Sequence, residues 1–228
     1  MNLFDLMFTD RWKKSNEGCD ARGRFLDSLL WLRWLPGRRV LLAEAYFQLG
    51  TVCGSRGHMP AVKACCRRVL RLVEGGRPWR FKSSLRRYAV VAAAHNHLGI
   101  LSLNQGAPEQ ALSEFDGAIA LRRELLRLFP KDRENQVYLG GVLCNRGHAC
   151  ADSDPAAAAG FFEESLRTLR QPERTCECGY WDAERESWWC AQLEAIGGAV
   201  GLGWVPLAPI FIDHAKRGLA SLKPTSQG

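Results

Sequence analysis

The sequence predicts an all-α fold made of stacked helix hairpins, and three observations predict it. Apolar residues recur at three- and four-residue spacing between glycine- and proline-bearing breaks along most of the chain. Gly50, Gly99 and Gly147 stand 49 and 48 residues apart, each inside such a run and each followed by a turn and a second run. Hydrophobic residues make up 46% and charged residues 24%, which supplies a buried core and excludes a disordered chain.

The elements follow in order. Phe25, Leu26, Leu29, Leu30, Leu32 and Leu35 form a first helical stripe, with Trp31 and Trp34 beside it, ended by Pro36-Gly37. A helix from Arg39 to about Ser55 carries Leu41, Leu42, Ala45, Tyr46 and Leu49. Gly57 turns the chain, and a helix after Pro60 carries Val62, Cys66, Val69, Leu70 and Leu72 until Gly75-Gly76 and Pro78. The next helix starts near Ser83 or Ser84, either of which suits a cap, and runs through Leu98 to Ser102. Pro108 suits the first turn of a helix, where no amide partner is lost, and that helix stops at Pro130. A third pair starts near Asp132 with Val137, Leu139, Val142 and Leu143. Asp154-Pro155 is a cap-then-proline start for its second helix, which Gln171-Pro172 ends. Residues 182–196 and 207–222 read as two more helices. The expected division is an N-terminal segment and packing helix at 1–38, three hairpins at 39–172, and a degenerate capping pair with a tail at 173–228.

The three pairs align on their glycines. Seven residues after Gly50 and Gly99 come Gly57 and Gly106, with Asp154 at the third site. Twelve residues on are Val62, Ala111 and Ala159. Cys66 and Phe115 follow at sixteen, and Phe162 at fifteen. Small residues stand where two helices approach, and a large one fills the gap beside them. Units of this kind bury a continuous core only by stacking.

The pattern resembles the tetratricopeptide repeat (TPR), whose signature is an aromatic residue, Leu-Gly, then a later Ala-x-x-x-Phe. Here it is His95-x-x-Leu98-Gly99 with Ala111-x-x-x-Phe115. It recurs as Tyr46-x-x-Leu49-Gly50 with Val62-x-x-x-Cys66, and as Leu143-x-x-Arg146-Gly147 with Ala158-x-x-x-Phe162. The period exceeds the common 34 residues and is similar to the long-helix variety of kinesin light chains and of bacterial kinase-linked arrays. The resemblance implies a right-handed superhelix whose concave groove is lined by the first helix of each pair. It also implies a function as an adaptor that binds a segment of another protein there. The groove-facing positions it implies are Glu44, Phe47 and Thr51; Asn96, Ile100 and Leu103; Cys144, His148 and Ala151. None is Lys or Arg, so a clamp for a C-terminal carboxylate is not expected. Asn96 is the foremost contact, because an amide pairs with a peptide's donor and acceptor; its alternative role is a bond to a neighbouring helix.

Charge offers a different function. Residues 41–90 hold ten Lys/Arg against Glu44 and Glu74, a local balance of +8, whereas residues 91–228 hold thirteen against seventeen acids. Arg67, Arg68, Arg71, Arg80, Lys82, Arg86 and Arg87, interleaved with Trp79 and Phe81, form a basic patch within residues 56–87. It suits nucleic acid or an acidic partner, or is the solvated side of two helices.

Other signals point to plain structure. His95 occupies an aromatic position of the repeat, which predicts packing rather than ligation. Cys176, Cys178 and Cys190 could begin a zinc site, but four ligands are the rule and no fourth is identified, so no metal is assigned. Nine irregularly spaced cysteines, including Cys65-Cys66, read as reduced thiols in a cytoplasmic protein. The opening residues hold Asp5 and Asp10 and lack a basic start, so no signal peptide is expected. Residues 195–212 carry no charge, but four glycines, Pro206 and Pro209 favour a turn between capping helices over a membrane anchor. No phosphate loop, kinase motif, nucleophile–base pair or paired carboxylates is present. The expectation is no enzyme and no cofactor.

Overall fold

The computed structural model describes residues 23–31, 38–73, 83–170 and 204–222. Every regular element among them is a helix. A short helix, α1, spans residues 23–28. It is followed by α2 (Arg38–Ser55), α3 (Met59–Val73), α4 (Ser83–Asn104), α5 (Pro108–Leu128), α6 (Arg133–Cys150), α7 (Pro155–Arg170) and α8 (Trp204–Leu222). Consecutive helices pack as hairpins, α2 on α3, α4 on α5 and α6 on α7. The hairpins join through α3 against α4 and α5 against α6. The first helices also touch in series, α2 with α4 and α4 with α6, and α8 packs on both α6 and α7.

The turns repeat as the glycine spacing predicts. Gly57 and Gly106 have φ of 74° and 72°, a left-handed conformation that glycine adopts without a β-carbon penalty. The His58 amide bonds the Cys53 carbonyl at 2.9 Å, and 49 residues on, the Ala107 amide bonds the Ser102 carbonyl at 2.9 Å. The third turn has no glycine; Asp154 closes it by accepting the Ala157 amide at 2.9 Å. Asp132 likewise caps α6, accepting the Asn135 amide at 3.0 Å. Pro108 occupies the first turn of α5.

Each hairpin closes on its glycine. A β-carbon built on Gly99 would lie 2.6 Å from the Phe115 ring, and one on Gly147 would lie 2.7 Å from the Phe162 ring. Both rings are fully buried. In the first hairpin Cys65 faces Gly50, its β-carbon 3.1 Å from the built position. The facing residue is thus one place earlier than the Cys66 of the sequence alignment, at the fifteen-residue offset of the third hairpin. Gly140 and Gly141 of α6 open room for Leu169 of α7 and Phe211 of α8.

Among the described residues the N-terminal α-helix breaks inside its apolar stripe. It ends at residue 28, where the Ser28 hydroxyl donates to the Phe25 carbonyl at 2.6 Å and the Leu29 amide tightens onto the Leu26 carbonyl at 3.0 Å. Leu26 enters the core, while Trp31 is 62% exposed. The expected helix at 182–196 and the cysteines Cys176, Cys178 and Cys190 lie outside the described residues, as do Leu32, Trp34 and Leu35. No described helix is long and apolar enough to cross a membrane. Among the described residues no group of three His, Cys, Asp or Glu side chains is placed to hold a metal ion.

Candidate protein-binding face

Helix geometry decides which way each side chain of a first helix turns. At 3.6 residues per turn, the residue three before the hairpin glycine lies about 60° from it, and the residue two before lies about 160° from it. The glycine faces its own second helix. The residue three before it therefore turns toward a neighbouring hairpin, and the residue two before it turns to the side opposite the second helix.

The contacts between first helices pair the two positions, the residue three before one glycine with the residue two before the next. Phe47 of α2 stacks on His97 of α4, ring centroids 5.1 Å apart and planes 21° from parallel. Asn145 of α6 donates from Nδ2 to Asn96 Oδ1 of α4 at 3.0 Å. Cys144 is 1% exposed, in the core cluster that Ala215 of α8 joins. Phe47 and Asn96 thus serve the joints between hairpins, while Cys144 packs in the core that α8 shares with the third hairpin. For Asn96 the structure realises the bond to a neighbouring helix. Cys144 is withdrawn from any surface, and burial pushes its thiol up to about 12. Ile100 and Leu103 are half-buried against the second core cluster. Thr51 spends its hydroxyl on the Phe47 carbonyl at 3.2 Å, and Glu44 is half-buried on α2. His148 is exposed beside α8; its ring meets Phe162 edge-on at 4.8 Å. Burial, then His214 and Arg217, hold its pKa below the ordinary histidine value.

One position further round come Gln48, His97 and Asn145, all half-buried on successive first helices. They are not among the groove-facing positions that the resemblance implies; they stand two residues before Gly50, Gly99 and Gly147. His97 Nδ1 is buried without a hydrogen-bond partner, and burial lowers the pKa of the ring.

No protein-family model matches this chain, and no curated protein or solved structure matches it either.

The remaining polar groups hold the stack together. His95 fills the aromatic position as a half-buried ring whose Nδ1 lies 2.7 Å from Glu114 Oε2 on α5. Tyr46, its equivalent on α2, donates to Asp27 Oδ1 at 2.7 Å and so ties α1 down. Burial first, then Asp27, raises the phenol's pKa. Arg122 is 5% exposed and joins three helices. It donates to Asn135 Oδ1 of α6 at 2.9 Å and to the Ala89 carbonyl of α4 at 3.3 Å, and it lies 4.8 Å from the Tyr138 ring centroid. Asn135 returns a bond to the Arg122 carbonyl at 3.0 Å.

The basic patch is partly spent on the fold. Arg68 pairs with Asp27 at 2.5 Å, and Arg87 donates to the Val73 carbonyl at 2.6 Å, joining the end of α3 to α4. Arg67 and Arg71 are exposed on α3. Arg80 and Lys82 and the side chain of Arg86 lie outside the described residues.

Proposed function

We propose that this chain is a tetratricopeptide-like interaction module, a right-handed solenoid that holds a segment of another protein along the concave side of its first helices. The observation that carries the reading is the ladder across those helices, Phe47 on His97 and Asn96 with Asn145. Such a ladder sets three first helices side by side, with His97 taken up by the joint and Gln48 and Asn145 half-buried on the side turned from the second helices. An amide binds an extended main chain because it both donates and accepts. Asn145 uses one donor within the stack and keeps its oxygen for a partner's N–H. The reading assigns no catalysis, and it keeps the module in the cytoplasm, where buried cysteines stay as thiols.

The test is capture by the immobilised chain at low and high salt, wild type against the double variant Gln48→Ala plus Asn145→Ala. A protein retained by wild type at both salts and lost by the variant supports the groove. Retention that ignores the substitutions and vanishes with salt overturns it, because phosphate contacts weaken steeply with ionic strength.

A further inference from the structure

The outer side of α3 is a second surface, away from the first-helix ladder. Met59, Lys63, Arg67 and Arg71 follow one another at four-residue spacing, which sets them in one stripe along the helix. Pro60 and Ala64 lie beside it. Met59, Pro60, Ala64, Arg67 and Arg71 are all exposed. The helix contains no Asp or Glu in its 15 residues. Among described residues 23–73 the carboxylates are Asp27, bonded to Arg68, and Glu44, which stands on α2 with contacts of its own. Lys63 donates to the neutral amide oxygen of Gln105 at 3.0 Å, so its charge is held in place and not cancelled. Arg71 Nε donates to the Arg67 carbonyl at 3.4 Å, which lays its guanidinium along the helix. The next acidic residue in the chain, Glu74, lies outside the described residues.

We propose that this stripe docks an acidic amphipathic helix of a partner protein. Successive cations are about 6 Å apart along the axis, the same spacing as carboxylates placed every fourth residue on a facing helix. Ala64 and Pro60 carry little bulk, which lets a second helix approach. Met59 adds an adaptable apolar contact at one end. Single-stranded nucleic acid fits less well, because α3 has no aromatic ring on which bases stack between the cations. The surface works independently of the first-helix face.

The test uses the full chain and fluorescence anisotropy with three probes at about 100 mM salt. They are a helical peptide of about 20 residues with Glu at every fourth position beside an Ala/Leu seam, its Gln counterpart, and a single-stranded oligonucleotide. The Glu peptide binds at least about tenfold more tightly than the Gln peptide. The double reversal Arg67→Glu plus Arg71→Glu removes at least about tenfold of that affinity, and a Lys version of the peptide then binds the reversed chain. Circular dichroism checks the fold, and Arg67→Gln plus Arg71→Gln, with the same expected loss, replaces the reversal if it fails to fold. Failure of the Glu peptide to bind, binding indifferent to the substitutions, or tighter oligonucleotide binding through the same arginines overturns the proposal. Asn145→Ala leaves peptide binding unchanged, so this result and that for the groove stand apart.

Discussion

The ring of Phe162 lies against the bare α-carbon of Gly147, in space that a β-carbon would enter to within 2.7 Å of the ring edge. Gly218 of α8 meets the same ring from its own helix. One side chain of α7 therefore joins the third hairpin and seats α8. Gly147→Ala is expected to lose about 1–3 kcal/mol of stability through overpacking. Gly160→Ala, where nothing lies within 4 Å, is expected to gain about 0.5–1 kcal/mol from lower chain entropy. Urea unfolding of the two variants checks the contrast.

Phe162→Ala removes the shared ring. The expected loss is about 3–5 kcal/mol, and the amides of α8 should lose hydrogen-exchange protection before those of α4 and α5. Uniform loss across all helices would mean that α8 is held by other contacts.

Arg122 and Asn135 exchange two bonds in the core, so neither is cheaply removed alone. Asn135→Ala leaves a buried guanidinium short of an acceptor and is expected to cost about 2–3 kcal/mol. The double change Arg122→Met plus Asn135→Leu removes both polar groups and is expected to be closer to wild type, because a buried charge is expensive unless fully bonded. A thermodynamic cycle from denaturant curves measures the coupling.

Acid should loosen the joint between the first two hairpins. Burial depresses the His97 pKa in the folded chain, so the unfolded chain takes up the proton first as pH falls. Stability from the neutral ring is present above about pH 6.5 and is lost as pH drops below it. His97→Phe keeps the stacking on Phe47 and removes the titration. The fall in unfolding free energy between pH 7 and pH 5 should therefore be shallower in that variant.

Much of the fold was legible because helix boundaries are written in local chemistry. Asp132 and Asp154 cap where a carboxylate precedes an apolar run, and Gly57 and Gly106 turn where only a left-handed residue fits. The hairpin contacts were legible through size, Gly99 opposite Phe115 and Gly147 opposite Phe162. Orientation around the helix was harder to read. A shift of one residue turns a side chain by about 100°, and the joints use both sides of that shift, pairing Phe47 with His97 and Asn96 with Asn145. The uses of the arginines were also hidden, because Asp27 is 41 residues from Arg68 and Val73 is 14 from Arg87. Only the folded chain brings those partners together.

Site-specific photo-crosslinking would locate a partner proposed to lie along the first helices. The photoreactive residue is placed at Gln48 or at Asn104, which is two turns beyond His97 on the same side of α4. In control chains it is placed at Arg123 or Glu163, exposed on the second helices α5 and α7. A partner in the groove crosslinks from Gln48 and Asn104 and not from Arg123 or Glu163. Crosslinks confined to the second helices would contradict that placement.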